Sequence, residues 1–143
     1  MQTTRQILSG TSPNSASTAA GTVIACGLAD LDSLTVVASL VGATGGVLDV
    51  YLQTSHDGGT TYYDWLHFTQ LTAGNAAVKV VAHTPRTLNA ALTTVGAATT
   101  PALAAGTLTG GSWGDQMRLL FVAGASTSAG AAISVQIVGN RNS

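Results

Sequence analysis

The side chains able to move a proton, attack a carbonyl or hold a metal are few: His56, His67, His83, the acids Asp30, Asp32, Asp49, Asp57, Asp64 and Asp115, and Cys26. Glutamate is absent. Asp64 and His67 lie three apart in a segment that reads as a strand, where side chains alternate. They are therefore expected on opposite faces, unable to share a metal from that strand alone. His56-Asp57 pairs an imidazole with a carboxylate, but an Asp directly ahead of Gly58-Gly59 is ordinary turn chemistry. His67 and His83 read as strand residues at a core edge or interface. No G-x-S-x-G or comparable nucleophile setting accompanies the Ser, His and Asp residues, so no triad is supported. Cys26 stands alone, which excludes an intrachain disulfide and cysteine-based metal frameworks. The run Thr109-Gly110-Gly111-Ser112-Trp113-Gly114-Asp115 lacks the Lys-Ser/Thr and the helix of a phosphate loop and reads as a turn. Tyr62 and Trp113 are the best members of a possible sugar-stacking platform, with Trp65 assigned to packing. The expectation is a protein with no catalytic residues, no cofactor and no metal.

The elements that carry these residues follow from composition. Of 143 residues 8% are charged, with a net charge of −1 and basic residues scattered at Arg5, Lys79, Arg86, Arg118 and Arg141. No basic footprint for a phosphate backbone results, which excludes direct nucleic-acid binding. A 45% hydrophobic content and a mean hydropathy of +0.35 argue for a buried core rather than disorder. Every apolar run is interrupted well short of the roughly 18 residues of a membrane helix. The N-terminal stretch lacks the basic-then-apolar pattern of a secretory signal, so the sequence reads as a mature soluble chain. A monomer of 14.2 kDa exposes on the order of 6,800 Å², leaving roughly 600 Å² for each charged side chain. A surface so sparsely charged is expected to be covered in part by other protein.

Strand signals dominate, at residues 21–26, 33–41, 47–55, 62–71, 76–84, 116–123 and 131–138, with β-branched and aromatic residues bounded by Gly, Asn, Asp or Ser. The expected class is an all-β antiparallel sandwich. Residues 21–143 form the domain, 1–20 an extended N-terminal arm, and 86–114 a long Ala/Thr/Gly-rich loop. Asp57, Gly58, Gly59 and Thr60 are placed in a hairpin turn with positive φ at both glycines. Centring the turn there pairs Leu52 with Trp65 and Val50 with His67. Leu48, Val50, Leu52, Tyr63, Trp65 and His67 then share the core face, with Asp49, Tyr51, Gln53, Asp64, Leu66 and Phe68 on the other, which a loop or a neighbouring chain would cover. A single bulge would invert the assignment beyond it. The expected core is Leu48, Val50, Leu52, Tyr63, Trp65, Leu119, Phe121, Ile133, Val135 and Ile137. Candidate partner contacts lie in the arm and the loop: Ile7, Leu8, Arg86, Leu88, Leu92, Pro101, Leu103 and Trp113.

Residues 50–68, Val-Tyr-Leu-Gln-Thr-Ser-His-Asp-Gly-Gly-Thr-Thr-Tyr-Tyr-Asp-Trp-Leu-His-Phe, resemble a hairpin of small virion proteins of tailed bacteriophages, with the pattern Q-T-S-x-D-G-G-T-x-W/Y-x-D-W. The similarity covers about one seventh of the chain. With the size, the all-β pattern and the sparse charge, the chain is most similar to capsid cement (decoration) proteins, of the jelly-roll kind of a Bordetella-type podophage. The resemblance implies a jelly roll made in the host cytoplasm that binds the outer capsid surface of the virion as a homodimer or homotrimer. Its partner there would be the major capsid protein, whose neighbouring subunits it would cement. It transfers no functional residues. The hairpin also occurs in tail and fibre components, and a carbohydrate-binding or tail/fibre-associated module is the alternative class.

Overall fold

The structure is a computed structural model and describes residues 2–11, 17–25, 27–41, 46–72, 77–85, 103–109, 113–124 and 132–141. Its strands are β1 (Gln2–Thr11), β2 (Ser17–Ala25), β3 (Ser33–Val41), β4 (Leu48–Ser55), β5 (Tyr63–His67), β6 (Ala77–Pro85), β7 (Thr107–Leu108), β8 (Gln116–Ala123) and β9 (Ala132–Arg141). A 3-10 turn, Leu28–Asp30, leads into β3. One sheet has the order β1-β9-β3-β6 and the other β2-β8-β4-β5-β7, with every pairing antiparallel. The protein is an all-β sandwich, as the period-two patterning predicts.

Alternation explains which side each strand buries. Leu34, Val36 and Ala38 of β3 and Ile133, Val135 and Ile137 of β9 line the inner face of the four-stranded sheet. Leu48, Val50 and Leu52 of β4 and Met117, Leu119, Phe121 and Ala123 of β8 line that of the five-stranded sheet. Nine of the ten expected core residues are buried. The exception is Tyr63, which is half-buried because it opens β5 at the mouth of the hairpin, opposite Thr54.

Much of the expected N-terminal arm is instead strand: β1 lies wholly within residues 1–20, and the strand expected at 21–26 begins earlier, at Ser17. Gln2–Thr11 pairs along its whole length with β9, setting Ile7 against Gln136 and Leu8 against Val135, and Ser17–Ala25 pairs with β8. Thr-rich segments with one apolar pair carry little alternation, so pairing to a neighbour rather than burial pattern makes these strands.

The expected hairpin register holds only near the turn. Gln53 pairs with Asp64 and Thr54 with Tyr63, but Leu52 pairs with Leu66 and Tyr51 with His67. Trp65 is the extra residue of a β-bulge, and beyond it every side chain changes face. Leu66 and Phe68 therefore join the core, and His67 points to the opposite side, reversing the expected assignment of all three.

Trp113, expected as a partner contact, is fully buried: Trp65 meets it edge-on, with ring centroids 6.2 Å apart at 80°. Its Nε1–H donates to the Leu28 carbonyl at 2.7 Å, whereas the Trp65 Nε1–H is buried without an acceptor among the described residues. Trp113→Phe breaks a buried hydrogen bond and Trp65→Phe does not. Trp113→Phe is expected to cost about 1 kcal/mol more in a denaturant titration.

Candidate functional site

The bulge assembles a polar cluster on the outer side of the five-stranded sheet. Asp49, Tyr51 and Gln53 alternate along β4 on that side, and Asp64 and His67 join them from β5 because the inserted residue lies between them. Gln53 and Asp64 are almost wholly buried, at 0% and 2% exposure, and His67 is 4% exposed. Burial of such groups is tolerated only when each polar atom is paired. Gln53 Nε2 donates to Asp64 Oδ1 at 2.8 Å, and Gln53 Oε1 accepts from Arg118 Nε at 3.0 Å. The Arg118 guanidinium lies 4.0 Å over the Tyr62 ring, and Tyr62 donates its hydroxyl to Gln116 Oε1 at 3.0 Å. Burial lowers the Arg118 pKa from the usual arginine value, and interaction with Tyr62 opposes part of that shift.

His67 is held on both ring nitrogens. Nε2 lies 3.0 Å from Asp49 Oδ1 and Nδ1 lies 2.7 Å from the Leu103 carbonyl. Both partners are acceptors, so a ring protonated on both nitrogens makes both bonds and a neutral ring makes one. Tyr51 stacks on the imidazole at 3.9 Å and 20°. Burial first, then the charges of Asp49 and Asp64, push the Tyr51 phenol up to about 12, so it stays neutral far into alkaline solution. Gln70 Nε2 donates to Asp49 Oδ1 at 2.9 Å.

What this cluster grips is residues 103–109. The Leu103 amide donates to Asp64 Oδ2 at 3.3 Å while its carbonyl meets His67, and the Gly106 amide donates to the His67 carbonyl at 3.0 Å. Thr109 donates its amide and its hydroxyl to the Trp65 carbonyl at 2.9 and 3.1 Å. The Trp65–Thr109 contact continues the register in which Leu66 meets Leu108 and His67 meets Thr107, so the returning segment satisfies the edge of β5 away from β4. Asp64 and His67, expected apart, meet through one residue, Leu103. Both His67 nitrogens are engaged, and among the described residues no hydroxyl or thiol bonds to the ring. This chemistry is that of a clamp. Among the described residues no group of three or more His, Cys, Asp or Glu side chains is placed to hold a metal.

The hairpin turn is built as expected at Asp57, Gly58, Gly59 and Thr60, with φ of 68° and 91° at the glycines. Ser55 Oγ donates to Asp57 Oδ1 and accepts from the Gly59 amide, at 2.8 and 2.9 Å, and Thr60 Oγ1 donates to the Asp57 carbonyl at 3.1 Å. The Thr61 amide, 2.8 Å from Asp57 Oδ1, is the largest influence and the Ser55 hydroxyl the next; together they hold the Asp57 carboxyl down at about 2. Tyr62 is 5% exposed and Trp113 wholly buried, so these rings form no sugar-stacking platform.

Of the expected partner contacts, Leu103 is half-buried with its backbone bonded to this chain's own sheet. Ile7 and Leu8 sit in β1, and Arg86, Leu88, Leu92 and Pro101 lie outside the described residues. The surface that sequence reasoning missed is the outer side of the four-stranded sheet. Thr35, Val37, Ser39 and Val41 of β3 and Ala132, Ser134, Gln136 and Val138 of β9 share it, none of them charged, while the flanking strands set Arg5 in register with Val138 and Lys79 in register with Ser39. Val37 and Val41 are 41% and 48% exposed. The signal was present as alternation: the polar half of both strands is Ser, Thr, Gln, Ala and Val without one ion. Comparison with protein-family models, curated proteins and solved structures finds no match.

Two outcomes are expected. His67→Phe keeps the stack on Tyr51 but removes the ring's hydrogen bonding, and should speed amide exchange in residues 103–109 roughly tenfold while β8 stays protected. The Asp57 carboxyl has a folded-state pKa below its ordinary 3.8, so its stabilisation is present above that value and is lost as pH falls toward about 2. The Tm advantage of the wild type over Asp57→Asn should therefore shrink between pH 4 and pH 2.

Proposed function

We propose that this chain is a structural virion protein that binds the outside of an assembled phage capsid and cements neighbouring major capsid subunits. The observation that carries the reading is the uncharged outer side of β3 and β9, with Val37 and Val41 exposed at its centre and end. Such a face loses little on desolvation and gains hydrophobic contact when pressed against a protein lattice. The strand order also supports the jelly-roll reading. β1, β9, β3 and β6 in one sheet, against β2, β8, β4 and β5 in the other, is the arrangement of two Greek keys wound together.

The mechanism is linkage. A protein that binds the assembled lattice better than free subunits stabilises the lattice by mass action. Repetition over many equivalent sites multiplies modest contacts, so a face of Val, Ser and Thr suffices without ion pairs.

The chain is expected in purified particles at a fixed ratio to the shell subunit. Val37→Asp combined with Val41→Asp should dissociate it from shells without lowering Tm by more than a few degrees. Its presence in infected-cell extract but absence from particles would refute the reading.

A further inference from the structure

We infer that His67 is a proton-operated latch: with both ring nitrogens protonated it ties residues 103–109 down at Leu103, and loss of the Nδ1 proton to solvent lets that end go.

The ring is bounded on both sides by atoms that can only accept. Nε2 faces Asp49 Oδ1 at 3.0 Å, and Nδ1 faces the Leu103 carbonyl at 2.7 Å. A neutral imidazole carries one N–H, so it aims a lone pair at one of these oxygens. The bond to the carboxylate is the charge-assisted one, and a lone pair turned toward it would meet a negative charge, so the remaining proton stays on Nε2. The contact surrendered is therefore the one to Leu103. At that separation two lone pairs repel, and the carbonyl has to move. The ring has little freedom to move instead, being 4% exposed and stacked on Tyr51 at 3.9 Å and 20°.

The groups around the ring leave the histidine as the one that responds. From β4 it meets Asp49 and Tyr51, and β5 places Asp64 on the same side. Gln70 reaches Asp49 Oδ1 at 2.9 Å, and Arg118 of β8 is kept one residue away by Gln53. Tyr51, pushed up to about 12 chiefly by burial, keeps its proton throughout the range in which a histidine ordinarily changes charge. The returning segment meets the ring with backbone, through the Leu103 carbonyl.

Release is local. Among the described residues, Leu103 keeps only its amide bond to Asp64 Oδ2, at 3.3 Å the longest of the cluster. Thr109 keeps two bonds to the Trp65 carbonyl, and Leu108 and Thr107 stay paired with Leu66 and His67. The segment therefore loosens from Leu103 inward and stays hinged at Thr109. Acid shuts the latch and alkali opens it.

Amide exchange of the soluble chain reads this without reference to shell binding. Rates are followed from about pH 5 to about pH 9, across the range of histidine titration, each divided by its intrinsic rate at that pH. Protection at Leu103 and Gly106 should fall roughly tenfold relative to β8 as pH rises, and that at Thr109 much less. In His67→Phe, protection at Leu103 and Gly106 should be low at every pH. Asp49→Asn is the sharper variant. Its side-chain amide can donate to Nε2, with Gln70 turning its own amide to match, so a neutral ring keeps Nδ1–H for Leu103 and protection should hold to the alkaline end. Protection at Leu103 that is flat with pH in the wild type overturns the inference. So does a fall that His67→Phe reproduces or that Asp49→Asn retains. If Tm shows that Asp49→Asn does not fold, the wild type against His67→Phe still decides.

Discussion

Trp65 occupies the extra position in β5, and the two sides of the five-stranded sheet are dressed accordingly. Without it, Leu66 and Phe68 would face outward and His67 would enter the core against Val50. With it, two large apolar side chains complete the packing around Leu48, Leu71 and Phe121, and a histidine and an aspartate three residues apart come to the same outer side. On the edge of β5 away from β4, the Trp65 carbonyl accepts twice from Thr109, continuing the pairing with β7. One inserted residue thus couples the inner core, the outer polar cluster and the path of a distant segment. A change there would act on all three together, which is why bulges behave as built features rather than defects.

The polar cluster also accounts for where the few charges go. Asp49, Asp64 and Arg118 are committed to internal bonds on the outer side of β4, β5 and β8, and Asp57 is committed to its turn. Arg141 and Asp30 form an exposed pair at 3.0 Å, a contact that contributes little in solvent. The outer positions of β3 and β9 receive none. Accessible area totals 6806 Å², close to what the size scaling gives for a single chain of this mass.

Much of this was legible in the sequence where alternation is strong. Residues 33–41 and 116–123 carry clean apolar periodicity and form strands with those bounds. β1 was not legible, because Gln-Thr-Thr-Arg-Gln-Ile-Leu-Ser-Gly-Thr carries no apolar alternation in sequence and becomes a strand through its pairing with β9. The turn was legible from Asp57-Gly58-Gly59-Thr60, since few backbones other than glycine accept two successive positive φ angles. The bulge was foreseeable only as a possibility: the segment Tyr-Asp-Trp-Leu-His-Phe alternates equally well in either register, and burial of both Trp65 and Leu66 decides between them. Because the candidate cluster hangs on that choice, its membership was hidden with it. Trp113 misled for the opposite reason. It sits in a Gly-rich run that looks like a surface loop, yet its indole reaches the Leu28 carbonyl in the core.

The two sheets are therefore physically unlike. The five-stranded one is closed off: its outer side is tied to residues 103–109 through paired polar atoms, and its last strand is too short to template another. The four-stranded one differs among the described residues: Val37 and Val41 are exposed on its outer side, and β6 at one end is long and regular. Neither feature is worth much by itself, since the valine face offers only hydrophobic contact and the edge only a strip of backbone bonds. On the shell proposed above, which would present the same site repeatedly, many such contacts would act at once. Each contact then holds the others at high effective concentration, so weak terms that are invisible in dilute solution become decisive when the copies are arrayed side by side.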